Sequence, residues 1–565
     1  MRNALLLLSG LFLFACSHRK TASGIDPYHY TSTKQVMVQQ AAVVSAHPLA
    51  TAVGVEVLRQ GGNAFDAAVA VQLALAVVYP NAGNLGGGGF MVARKSDGTL
   101  LALDYREVAP AGAGRNFYLD SNGAVIPGIS VYGHRSAGVP GTVAGLVQTL
   151  RHGRKPLREL VQPAIRLAGG FAITGAEARS LNMIQDDLKK WNKVPNAFMK
   201  GGWKKGDTLR QEDLQKTLVR IRDKGADGFY KGETARLVEE EMRRGGGIIT
   251  ARDLESYKAV WREAYRFPYK GYTILSMPMP SSGGVILQQV LGMTASHSLS
   301  SYDLLSPGAV QLITEAERRA YADRATHMGD PGFYEVPVKA ITDPSYLLDR
   351  MKDYQPGRAG SSSETAAGVL RKESEETTHI SIIDAEGNAV SVTTTLNNSY
   401  GSKTVVGGAG FFLNDEMDDF SIKPGVPNIY GAIGGEANAI APGKRMLSSM
   451  TPTIVLKGEK PFMIVGTPGG TTIPTSVIQM ITGIIDFKKS PSEVMDAPRF
   501  HHQWLPDEIF VERNFPESTR EALQKMGYVV TTRSDIGRVE MIVVHGDGRI
   551  EALADKRGDD AAAGY

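Results

Sequence analysis

The strongest constraint on the fold of this chain is a pair of runs that alternate polar and apolar residues, Thr378 to Ile383 and Ala389 to Leu396. Between them lies the turn cluster Asp384-Ala385-Glu386-Gly387-Asn388. Period-2 runs around a Gly/Asn-containing turn predict a β-hairpin. The hairpin begins abruptly, because the acidic, helix-favouring segment Ala366 to Glu376 stops at the paired threonines Thr377 and Thr378. A hydroxyl at the head of a buried strand suits an N-terminal nucleophile. Cleavage between Glu376 and Thr377 would give the threonine a free α-amine to act as base for its own Oγ, and a threonine hydroxyl is too weak a nucleophile without one. The same residues also suit an ordinary strand start, which threonine favours. The hairpin alone leaves both readings open, and leaves Thr377 and Thr378 equal candidates.

With 565 residues, 42% hydrophobic and 21% charged, the chain has the balance of a soluble globular protein with a large core. Length alone suggests three or four domains. A net charge of +3, with no long basic cluster interleaved with aromatics, gives no expectation of nucleic-acid binding. The N-terminus reads differently. Arg2 and the apolar run Ala4 to Ala15 form a charged n-region and an h-region too short to span a bilayer comfortably. The run ends in Leu13-Phe14-Ala15-Cys16, which resembles a bacterial lipobox, and Cys16 is the only cysteine of the chain. Lipid attachment gives that cysteine a role that disulfide chemistry cannot. Residues 1–15 are therefore read as a lipoprotein-type signal peptide and 16–35 as a polar tether. The expected location is the periplasm, lipid-anchored to the outer membrane of a Gram-negative cell, with Ser17 after the cysteine favouring that membrane.

From Val36 the chain looks globular. Val53 to Gln60 reads as an amphipathic helix stopped by Gly61-Gly62, and Asn63-Ala64-Phe65-Asp66 opens a very apolar one, Ala67 to Tyr79, that must be buried between layers. Gly86 to Gly89 passes from a loop into a strand. The middle, about 150–360, carries helical periodicity, as in Glu233 to Arg244 and Ala309 to Asp323. A second hairpin, Thr453 to Leu456 and Pro461 to Gly466, leads through Thr467-Pro468-Gly469-Gly470 into an apolar helix near Thr475 to Ile485. Strands in both halves flanked by apolar helices predict sheets sandwiched between helix layers.

Several residues carry candidate chemistry. Gly469 and Gly470, between a strand and a helix, expose amides suited to an oxyanion, although a tight turn needs the same glycines. Ser448 and Ser449 offer hydroxyls at a strand entry. The carboxylates of Asn414 to Phe420 suit an ammonium ligand and lack the spacing of a calcium loop. Arg106, after a strand, could grip a carboxylate. There is no Gly-x-Ser-x-Gly elbow, Walker loop or His-Glu-x-x-His. No metal and no organic cofactor are expected.

Taken in order, these pieces resemble the γ-glutamyltransferase (glutathione hydrolase) family. The likeness rests on Gly61 to Ala68, Asn84 to Phe90, Asp104-Tyr105-Arg106-Glu107, Thr377-Thr378-His379, Met417-Asp418-Asp419-Phe420, Leu447 to Pro452, Pro468-Gly469-Gly470 and Ala497 to Trp504. It runs from about residue 35 to the C-terminus. The resemblance implies an α+β fold, the four-layer αββα sandwich of N-terminal-nucleophile hydrolases. It also implies a precursor that cuts itself between Glu376 and Thr377 into a large subunit, 36–376, and a small catalytic one, 377–565, which stay together as a heterodimer. Thr377 would be the nucleophile of both reactions, with Thr395 hydrogen-bonded to it and Gly469 and Gly470 as the oxyanion hole. Asn397, Glu416 and Asp419 would meet the substrate α-amine, and Arg106, Ser448 and Ser449 its α-carboxylate. Pro424 to Tyr430 resembles a lid, with Tyr430 as its wall. The implied donors are glutathione and other γ-glutamyl compounds, and the implied acceptors water, amino acids or dipeptides.

Two rivals follow from the same residues. Cephalosporin (glutaryl) acylases share the superfamily, but their acyl chains lack the α-amine and they generally lack an acid at the position of Asp419. A catalytically inactive surface lipoprotein would keep the fold without needing the full set of site residues.

Overall fold

The computed structural model describes residues 24–365, 377–423 and 435–565. Cys16 with the signal peptide, Glu376 with the segment before the cut, and Tyr430 with the lid stretch all lie outside these residues. The predicted hairpin forms as strands Thr377–Ile383 and Ala389–Thr395, paired antiparallel so that Thr377 faces Thr395, His379 faces Thr393 and Ser381 faces Ser391.

This hairpin sits in the middle of a seven-stranded antiparallel sheet, in the order Ala561–Gly564, Ala42–Ser45, Thr377–Ile383, Ala389–Thr395, Gly88–Arg94, Leu100–Asp104, Val260–Arg262. A second seven-stranded sheet runs Gln35–Val38, Ile550–Ala554, Glu540–Val544, Lys460–Gly466, Thr453–Lys457, Tyr272–Ser276, Tyr265–Tyr269. Each sheet takes strands from both sides of Thr377. The length-based expectation of three or four domains therefore does not describe the chain, whose first two strands pair with its last two, Gln35–Val38 with Ile550–Ala554 and Ala42–Ser45 with Ala561–Gly564.

Alternation along each strand builds the layers. Ala42, Val44, Phe90, Val92, Ile454, Ile464, Ile542 and Ala552 form one apolar cluster between the sheets. The alternate residues Val43, Met91, Ile380, Ile382, Val390 and Val392 pack outward against helices Pro48–Arg59 and Ala64–Val78. On the far side, Ile274, Val455, Met463, Met541 and Val543 pack against Gly283–Ala295, Pro307–His327 and Thr472–Ile485. The result is the expected αββα sandwich. Helix Ala64–Val78 is buried at every position, as its all-round apolar sequence requires. It opens on a capping box in which Asn63 and Asp66 satisfy each other's backbone donors. The helix before it starts at Pro48 rather than Val53, because His47 caps Leu49 N–H and proline suits the first helical position. Gly61, at φ +83, provides its stop.

Candidate active site

Strand alternation places the paired threonines in different surroundings. Thr377, His379 and Ser381 share one face of their strand, and Thr378, Ile380 and Ile382 share the other. Thr378 is fully buried and its hydroxyl has no hydrogen-bond partner. Thr377 instead lines a small cleft, with its Oγ1 3.4 Å from Thr395 Oγ1 across the hairpin. Thr395 Oγ1 also accepts the backbone N–H of Asn397 at 2.8 Å, where the chain turns through a left-handed Asn397 at φ +75. That bond fixes where the Thr395 hydroxyl can point. Below the threonines the pairs His379–Thr393 and Ser381–Ser391 continue a polar ladder between the sheets, with His379 Nδ1 2.8 Å from Thr393 Oγ1. Burial pushes the His379 imidazole down to about 3, so it is a neutral hydrogen-bonding group at ordinary pH.

The Gly86 to Gly89 run explains how the hairpin is held. A Cβ on Gly87 would meet Thr395 O at 2.1 Å, and one on Gly89 would meet Thr393 O at 2.5 Å. The neighbouring Asn84 donates to Thr395 O at 2.9 Å and accepts from Gly87 N–H at 3.0 Å. The glycines serve close backbone approach and not phosphate binding.

Arg106, Thr395, Asn397, Glu416, Asp419, Ser448, Ser449 and Gly470 line the same cleft as Thr377. Gly470 (φ +54) faces it, followed by Thr471 and helix Thr472–Ile485, whereas Gly469 (φ +134) lines the larger cavity on the other side of the turn with Tyr79 and Arg538. Arg106 is buried and saturated. It forms short ion pairs with Glu416 and Asp419, lies 3.7 Å from Glu107, and donates to Met446 O and Leu447 O at 3.3 Å each. The expected cation and anion clamps thus hold each other when no substrate separates them. Burial raises the Glu416 and Glu107 carboxyls against the pull of Arg106. Both Glu107 oxygens lack a hydrogen-bond partner, which suits a carboxyl that keeps its proton. Asp419 is the outermost of the acids, its side chain 27% exposed.

Sequence reasoning missed Arg324, Met450, Thr471 and Ile473 as cleft residues. Arg324 lies one residue beyond the helical run expected to end at Asp323, and nothing in that charged stretch distinguishes it from its neighbours. Among the described residues, no group of three or more His, Cys, Asp or Glu could hold a metal ion.

The family model for gamma-glutamyltranspeptidase matches residues 50–565. The chain belongs to the γ-glutamyltranspeptidase family. It is 45% identical over 554 residues to a glutathione hydrolase proenzyme of Escherichia coli (strain K12), covering 96% of this chain and 93% of that one. It resembles the crystal structure of the γ-glutamyltranspeptidase of Helicobacter pylori with a TM-score of 0.55 at 43% identity, covering 57% of this chain and 93% of that one. A cephalosporin acylase from Bacillus halodurans superposes over 96% of this chain and 99% of its own, with a TM-score of 0.82 at 24% identity, a likeness of fold alone. As a γ-glutamyltranspeptidase, the chain is an enzyme of the N-terminal-nucleophile type, and the inactive-lipoprotein reading falls away.

Proposed function

We propose that this γ-glutamyltranspeptidase acts on glutathione and related γ-glutamyl amides through Thr377. The observation that carries the reading is the hairpin register, with Thr377 opposite Thr395 in the cleft that also holds Arg106, Glu416 and Asp419. The precursor first cuts itself between Glu376 and Thr377. The new α-amine then takes the proton of Thr377 Oγ as that oxygen attacks the γ-carbonyl, and the amides of the Gly469-Gly470 turn, which meets the cleft at Gly470, hold the developing oxyanion. Collapse expels the amine with a proton and leaves a γ-glutamyl ester on Thr377. Water or the amine of an amino acid or dipeptide then attacks the ester and restores the threonine.

The amino acid head of the donor fits the charges of the cleft. Its ammonium takes the place of the Arg106 guanidinium on Glu416 and Asp419, with Asn397 beside it, while its carboxylate meets Arg106, Ser448 and Ser449. The ion pairs of Arg106 with Glu416 and Asp419 are thereby exchanged for ion pairs with the substrate, which limits the desolvation cost of binding a zwitterion. Asp419 supports a glutamyl over a glutaryl substrate, since only the glutamyl head brings an ammonium.

The test is the intact mass of the purified chains beside a Thr377→Ala variant, together with release of p-nitroaniline from γ-glutamyl-p-nitroanilide. Two chains, the smaller starting at Thr377, with one uncut and inactive chain from the variant, are expected. A small chain starting at Thr378, or cleavage that survives Thr377→Ala, would overturn the assignment.

A further inference from the structure

The cleft contains a second guanidinium whose situation is the opposite of that of Arg106. Arg324, on helix Pro307–His327, donates from Nη2 to Ser449 Oγ at 3.0 Å and from Nε to Ser282 Oγ at 3.1 Å. It is half-buried and lines the cleft beside Thr377. Among the described residues it forms no ion pair, while Arg106 faces Glu107, Glu416 and Asp419 and gives its remaining donors to backbone carbonyls. Arg106 therefore sits among acidic side chains, whereas Arg324 has none among the described residues within ion-pair distance. The unmatched positive charge of the cleft belongs to Arg324.

The direction of the serine bond matters as much as the charge. A guanidinium has donors only, so Ser449 Oγ must accept from Arg324. Its own O–H is then left to point at something else, and accepting a charge-assisted bond makes it a better donor. The bond to Ser282 Oγ, which in turn donates to Ser448 O at 2.8 Å, ties the guanidinium to the backbone of the neighbouring serine. One side chain thus braces both serines of the pair.

We propose that Arg324 is a positioning and specificity residue for the carboxylate of the γ-glutamyl donor, aiming the Ser449 hydroxyl at it and adding a second positive charge to that of Arg106. This rests on the γ-glutamyl reading of the cleft. Arg106 meets the carboxylate directly once the ammonium has taken its place on the acids, and Arg324 acts on the same carboxylate through Ser449. The prediction is a selective one: removing Arg324 damages recognition of the carboxylate and leaves the reacting end alone.

The experiment compares two donors, γ-glutamyl-p-nitroanilide and 4-aminobutanoyl-p-nitroanilide, which keeps the amine and lacks the carboxylate. In Arg324→Met, KM for the first should rise about tenfold or more with kcat within about twofold, while kcat/KM for the second stays within about twofold; a tenfold change corresponds to the loss of one modest polar contact. Arg324→Lys, which keeps the charge but cannot span both serines, should fall between. Adding Ser449→Ala to Arg324→Met should cost less than the sum of the two separate changes. Intact self-cleavage in each variant, read by mass, shows that the fold survives. Equal losses on both donors, or an unchanged ratio in both Met and Lys variants, would overturn the proposal and leave Arg324 a structural brace. Failure of the wild type to turn over the glutamyl donor would instead overturn the functional reading itself.

Discussion

A single carboxylate, Asp419, separates two chemistries at the residue scale. It is the outermost acid of the cleft, ion-paired to Arg106, and the one most able to reach an incoming ammonium. Asp419→Asn keeps the shape and removes the charge. Turnover of γ-glutamyl-p-nitroanilide should fall by two orders of magnitude or more, since loss of a desolvated charge-assisted contact costs about 2–4 kcal/mol. Self-cleavage involves no ammonium head and should continue, so mass spectra should still show two chains. Unchanged turnover would remove the basis for glutamyl specificity. Much of this was legible in the sequence, because a hydroxyl strand start, an acid cluster and a paired glycine turn each have a recognisable chemistry. Arg324 was not, for it reaches the site by tertiary packing of a helix whose charges all look alike. Nor could the sequence choose Thr377 over Thr378. The two differ in the face of the strand they occupy, since Thr377 lines the cleft and Thr378 is buried away from it, and that face has no signature in two adjacent threonines.

At the scale of elements, the hairpin carries a polar ladder into a layer that is otherwise apolar. His379 sits in that ladder with its ring against Gly466, where a Cβ would come within 2.3 Å of it. Its folded value of about 3 lies below the 6.5 of an unfolded histidine. A depressed value means that stability is fully present above 6.5 and is lost as the pH falls toward 3, because the unfolded chain binds the proton first. Each such histidine contributes a slope of about 1.4 kcal/mol per pH unit in that window. His501 and His502, buried to about 3 and about 4, act in the same direction. Urea midpoints taken at pH 7 and pH 5 should therefore fall less in His379→Gln than in the wild type. Parallel losses would mean that His379 is not held neutral. The hairpins and the buried helix were readable from period and caps, but the starts of helices were not, since Pro48 and Thr472 are set by local caps and turns rather than by the apolar pattern.

On the scale of the whole molecule, the sandwich was inferred from its ingredients, whereas the order of strands had no signature in the sequence. Pairing of Ala561–Gly564 with Ala42–Ser45 joins segments far apart in the chain, and only the packed sheets reveal it. The N-terminal segment poses a separate question of address. We propose export and lipid attachment at Cys16, which predicts that Cys16→Ser moves the protein from the membrane pellet to the soluble periplasmic fraction on ultracentrifugation. An unchanged pellet fraction would count against the anchor. Because both sheets combine strands from before and after Thr377, a cut there would divide the covalent chain without dividing the object. Dilution would not part the pieces, as it does ordinary dimers, since each would have to abandon the middle of a sheet to leave. Neither half made alone has either sheet complete, so synthesis as one chain lets both sheets close before any cut, and the one-to-one ratio of the pieces is fixed by the ribosome rather than by any affinity.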